Sequence, residues 1–148
     1  MGIVDILKSK GISPRTDIAD ALNASKDPMY PGQQSNLYAP QFEHAATWAE
    51  TNLTDEKVVL MGWASQGSRF LGGPILGMLV VTESKFCFVR KEPGGNCVEI
   101  VHELSKIHNH STSGFLALRS IQYSIDGEGY KLERIQKDNL NHIIGALK

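Results

Sequence analysis

Apolar residues recur at helical spacing through the first third of the chain. Ile3, Ile6 and Leu7 share the i, i+3, i+4 pattern, and Gly11 follows as a stop. Ile18, Ala21 and Leu22 repeat the pattern behind Ser13 and Pro14, a capping residue and a first-turn proline. A third helix is predicted over 41–53, where Phe42, Ala45, Ala46, Ala49 and Leu53 draw one stripe and Trp48 falls on another side. Residues 26–40 hold Pro28, Pro31, Gly32 and Pro40 and read as a loop or arm. Met29, Tyr30, Leu37 and Tyr38 lend that arm apolar material with which to adhere to a surface.

From Lys57 onward the period falls to two. A first strand is predicted over 58–64, with Val59, Met61 and Trp63 on one face and Val58, Leu60 and Gly62 on the other. Residues 66–74 are a glycine-bearing connection that carries Arg69, Phe70 and Leu71. The densest run of sheet-forming residues follows, as two strands over 76–82 and 86–89 around the polar turn Thr82-Glu83-Ser84-Lys85. Pro93-Gly94-Gly95 makes a further turn. Strands four and five are predicted over 97–101 and 104–108, with 109–114 as a polar turn. Residues 115–125 alternate as a sixth strand, Asp126-Gly127-Glu128-Gly129 turns the chain, and 130–135 is the seventh. A closing helix begins near Asp138 and carries the stripe Leu140, Ile143, Ile144 and Leu147.

Links this short make neighbouring strands antiparallel, because a parallel crossover needs a dozen or more residues. Seven strands in one sheet curl, so the expected fold is α+β: two nearly orthogonal sheets in a partly open antiparallel barrel, capped by the C-terminal helix. Residues 1–53 form an N-terminal helical extension and 54–148 the barrel domain. The order of elements resembles the bacterial PH-like (pleckstrin-homology-like) domain family. The resemblance covers about 55–148 and rests on Glu56-Lys57-Val58-Val59-Leu60, on the hairpin from Gly77 through Thr82-Glu83-Ser84-Lys85 to Val89, on Ile107, and on the final strand pair and helix. It implies a PH-like barrel without catalytic activity that docks on another protein or on a copy of itself. In lipid-binding members the loop between the first two strands gathers cations for a phosphoinositide, and here that loop offers only Arg69.

Composition adds exclusions. The 148 residues hold 15 basic and 16 acidic side chains, a net charge of −1, which makes no electrostatic case for nucleic acid. No apolar run approaches a membrane span. Asp5 at the start and Ile6 where myristoylation needs Ser or Thr predict neither a signal peptide nor an acyl anchor. Two cysteines, Cys87 and Cys97, fit reduced thiols in a cytoplasmic protein, although neighbouring strands could also bring them together. His102, His108 and His110 with Glu99 and Glu103 match no zinc spacing, Cys97 with His102 lacks an orienting third group, and the glycine-rich pieces lack the P-loop Lys-Ser/Thr. No catalytic residue, metal site or cofactor is therefore assigned. The expected function is a non-enzymatic protein-interaction module, self-assembly being one form of it. Its contact residues are Arg69, Phe70 and Leu71 with Trp48, Tyr30 and Tyr38. The alternative is a lipid- or small-ligand-binding domain using the loop between the first two strands.

Overall fold

The computed structural model describes residues 3–24, 35–69, 73–92, 96–114 and 118–147. Helices α1 (Ile3–Ser9), α2 (Thr16–Ala24) and α3 (Ser35–Asn52) precede strands β1 (Val58–Arg69), β2 (Gly73–Thr82), β3 (Lys85–Lys91) and β4 (Cys97–Glu103). A 3-10 turn, Leu104–Lys106, leads to β5 (His108–Ser113), β6 (Leu118–Ile125), β7 (Glu128–Gln136) and the closing α4 (Lys137–Ala146). The seven strands are all antiparallel and run in the order β4-β3-β2-β1-β7-β6-β5. This α+β architecture, with N-terminal helices before the sheet and a closing helix after it, is PH-like, as the resemblance implies.

The long β1 joins the two halves of the sheet. Its first part pairs with β2, and Ser65 pairs with Glu133 of β7. Register shifts lie between Val58 and Leu60 and between Ser65 and Ser68. Such irregularities bend and twist a strand, which lets one strand serve both halves. The first shift also corrects the predicted faces. Val58, and not Val59, shares a side with Met61 and Trp63, while Leu60 and Ala64 face the other way with Val59 against them.

Those sides belong to two cores. One lies between the N-terminal helices and the outer face of β1, β2 and β3, where Leu7, Ile18, Leu22, Phe42, Ala45 and Ala49 meet Met61, Trp63, Met78, Val80, Cys87 and Val89. The other fills the barrel, where Leu79, Val81, Phe86 and Phe88 meet Ile121, Leu132 and Ile135, closed by Leu140 and Ile143 of α4. A sheet covered on both faces reads as a continuous apolar run, and the run Leu79-Val80-Val81 against Phe86-Cys87-Phe88-Val89 has that origin. The helical extension and the barrel thus share a core.

Polar groups tie the extension down. The Arg15 guanidinium grips Asp17 in two hydrogen bonds of 2.7 and 2.8 Å and also donates to the carbonyls of Leu53 and Glu56. Asp17 in turn accepts the Val58 N–H at 2.7 Å, at the start of β1. At the far end, the Gln41 amide donates to the Lys91 carbonyl and accepts the Lys91 N–H. The Glu56 carboxylate gathers the β2–β3 turn, accepting from the hydroxyls of Thr82 and Ser84 and pairing with Lys85 at 2.6 Å.

Three spans differ from the sequence expectation. The helix predicted from residue 41 begins at Ser35 and runs through Pro40. Proline there forfeits one bond, to the Asn36 carbonyl, near the start of the helix. The strands β1 and β2 extend into the predicted connection, so that Arg69 pairs with Gly73. The fifth strand is displaced: 104–106 forms the 3-10 turn, and the predicted turn at 109–114 is largely strand. Leu104 and Ile107 are buried, which is the signal that suggested a strand, but they flank a corner.

Gly77 marks a close approach inside the sheet. A Cβ there would lie 2.6 Å from the Phe88 ring and 2.8 Å from the Val89 carbonyl oxygen. Gly77→Ala is expected to cost about 1–3 kcal/mol through overpacking, measured as a lowered melting temperature. Gly62→Ala is the control, since its Cβ meets only the far end of the Asn139 side chain, which can turn aside, and no backbone. Equal melting of the two variants would refute this account of Gly77.

Candidate functional site

Covering the outer face of the first half-sheet with helices decides which surfaces remain. The strand β1 is central, paired on both sides. The edges are β4 and β5.

Each residue of β5 is exposed, from His108 to Ser113. Its one paired side faces β6, through His108 with Ser124, Ser111 with Gln122, Thr112 with Ile121 and Ser113 with Ser120. The register shifts between His108 and Ser111, where Asn109 takes a positive φ of 53°. Asparagine tolerates that conformation better than most residues. Beside the start of β5 a groove of about 550 Å³ is lined by Glu83, Ser84, Leu104, Ile107, His108 and Leu147. It lies between the β2–β3 turn and the end of α4.

At the other edge, the side chains of β4 alternate. Cys97, Glu99, Val101 and Glu103 are exposed, Val98 and Ile100 are half-buried, and His102 is buried. Val101 is 47% exposed, the exposed large apolar side chain among the described residues. His102 points into the barrel seam. Its ring meets Tyr130 at 4.6 Å and Tyr123 at 5.5 Å, and Tyr123 meets Phe86 at 5.6 Å. Burial keeps His102 neutral, with its pKa lowered, and raises that of the Tyr123 hydroxyl.

The predicted contact residues lie only in part among the described residues. Tyr30, Phe70 and Leu71 lie outside the described residues. Tyr38 falls within α3 and Arg69 ends β1. Trp48 is 6% exposed and packs in the core between helices and sheet, so its ring is no part of an open surface. Lys85 is held by Glu56, which raises its pKa. Buried His102 is parted from exposed His108 and His110, and among the described residues no three His, Cys, Asp or Glu side chains are placed to hold a metal. Cys97 is exposed and His102 buried on the same strand, on opposite faces, so they cannot act as nucleophile and base. Neither cysteine is in a disulfide: Cys87 pairs in register with Val101 and Cys97 with Lys91. Burial pushes the Cys87 thiol up to about 12.

Reasoning from apolar periodicity missed β5, because a strand with both faces in water has no such period. The signal available was a run of Ser, Thr, His and Asn without Lys, Asp, Glu, Pro or Gly.

No protein-family model matches the chain, and no curated protein matches it. Among solved structures it is similar to the crystal structure of the DH/PH domains of p115-RhoGEF, at a TM-score of 0.45 and 12% identity. That likeness covers 88% of this chain, which spans 39% of the other. No helix among the described residues is long and apolar enough to cross a membrane.

Proposed function

We propose that the chain is a non-enzymatic, cytoplasmic protein-interaction module that accepts a segment of another protein as an added strand along β5. The observation that supports this reading is an edge strand exposed at all six positions that carries neither a fixed charge nor a proline. Sheet edges are ordinarily blunted by lysine, proline or a covering element, because unpaired N–H and C=O groups invite another chain. An added strand draws affinity from main-chain hydrogen bonds and specificity from pockets for alternate side chains, and the groove beside Ile107 and His108 offers one such pocket. The helical extension occupies the broad face of the first half-sheet, which leaves edges and loops for contact. Arg69, Phe70 and Leu71, with Tyr30 and Tyr38, are secondary contacts for the same partner in this reading.

Proline scanning tests it. Along an antiparallel strand, successive residues turn their N–H groups to opposite sides. Of Ser111→Pro and Thr112→Pro, one breaks the ladder to β6 and lowers stability, and the other removes only an outward donor. The folded member of the pair is expected to lose capture of the partner that the wild type retrieves from lysate. The β5 amides of the wild type are expected to gain exchange protection in the captured complex. Retained capture by the folded proline variant, with β5 amides unprotected, would refute strand addition at this edge.

A further inference from the structure

The groove at the start of β5 has a lining of two kinds. Leu104 and Ile107 are buried at its floor, and half-buried Leu147 lies beside them. Glu83, of the β2–β3 turn, and Glu103, at the end of β4, stand exposed on its rim. The end of α4, at Ala146 and Leu147, makes a further wall. A helix C-terminus carries negative partial charge, and the last turn of α4 holds no basic residue to offset it. The two carboxylates and the helix end therefore act with one sign. The neighbouring cations do little to cancel them. Lys85 is engaged with Glu56 at 2.6 Å. Lys106 reaches Glu103 at 3.6 Å, with both side chains more than half exposed. A pair so exposed is held weakly and yields to a better-placed cation. Among the described residues no cation pairs with Glu83.

We infer, resting on the β5 reading for the chain that delivers it, that this groove takes a basic side chain, arginine or lysine, of the added segment. The long aliphatic stem lies against Leu104, Ile107 and Leu147. The cationic head reaches Glu83, Glu103 and the carbonyls at the end of α4. A short polar side chain leaves the apolar floor uncovered. An aliphatic one leaves the carboxylates without a partner, and an acidic one is repelled by them. The sheet is antiparallel throughout, so a segment added in the same sense runs opposite to β5. It arrives at His108, the first residue of β5, with its carboxyl end, which places the basic residue there.

Random decapeptides displayed on phage are the probe. Peptides recovered by the wild type are expected to carry Arg or Lys near the carboxyl end of their shared core about fivefold more often than the unselected library, the scale of a partly exposed ion pair. Glu83→Gln combined with Glu103→Gln should recover peptides without that excess. Glu99→Gln, an equal change of charge elsewhere on β4, should keep it. Glu83 and Glu103 are exposed, so the double variant should melt as the wild type does. A second measurement needs no variant protein: replacing the recovered Arg or Lys by norleucine in a synthetic peptide should weaken its binding to the wild type about fivefold. The folded β5 proline variant should recover no peptide. No basic excess in the wild type, an excess kept by the double glutamine variant, or full binding of the norleucine peptide would overturn the inference, and loss of binding in the proline variant would still uphold the β5 reading. A basic excess kept by the folded proline variant would overturn the β5 reading and uphold the groove. A wild type that recovers no peptide would overturn both.

Discussion

Trp63→Ala is expected to cost about 3–5 kcal/mol, the range of large-to-small changes at fully buried aromatics, and to lower the melting temperature on the order of 10 °C. Trp63 is fully buried, and its ring meets Phe42 edge-on at 5.1 Å. It stands on the outer face of β1, where the helical extension and the barrel share a core, so the cavity would open where α3 rests on the sheet. The variant should therefore loosen the helices first. Amide exchange is expected to accelerate in residues 3–24 and 41–52 before it does in β6 and β7. Trp63→Phe keeps the edge contact with Phe42 and should recover half or more of the loss. Val101→Ala, at an exposed site, should stay within about 0.5 kcal/mol of the wild type. If Trp63→Ala exchanged faster only in β6 and β7, the core between helices and sheet would not be the one that holds the extension.

The sequence was most legible where a segment buries one face or two. The stripe of Phe42, Ala45, Ala46 and Ala49 predicted its helix because only one side of α3 meets the sheet. The hairpin of β2 and β3 was legible from its density of apolar residues, a consequence of helices on one face and barrel on the other. Legibility failed in two ways. A one-residue irregularity between Val58 and Leu60 exchanges the faces of everything after it, and strict alternation carries no mark of such a shift. Strand β5 has no buried face, so its pairing with β6 is made by the backbone and leaves no trace in hydropathy. The candidate contact surface was illegible for the same reason. Large aromatics were the natural guess for adhesion, yet Trp48 is spent on the protein's own core. The edges rest instead on which strands lack a neighbour, a property of topology.

The extension's polar anchor gives the second large effect, and its sign depends on pH. Arg15 beside Asp17 holds that carboxyl at about 2, against an ordinary 3.8, and the Val58 and Ile18 N–H groups help. A carboxylate whose pKa is depressed by folding stabilises the fold above its unfolded value and loses that contribution as pH falls through the folded one. The contribution is therefore whole above about pH 4 to 5 and gone near pH 2. Asp17→Asn keeps the shape and an oxygen for the Val58 N–H but removes the charge that Arg15 grips. The expected loss at pH 7 is about 1–2 kcal/mol, reduced from the full pKa shift because the pair is partly solvated. Urea titrations of both proteins at a series of pH values should show the gap closing between pH 4 and 2. Glu56 is also held below its ordinary value by Lys85 and Ser84, so both proteins weaken in acid, and only their difference reports on Asp17. Asp17→Ala should lose more at every pH, because the Val58 N–H is left without its acceptor at the first residue of β1. That additional loss should not titrate. A gap between wild type and Asp17→Asn that stayed constant down to pH 2 would mean that Arg15 holds the extension through the carbonyls of Leu53 and Glu56 alone, and not through its ion pair.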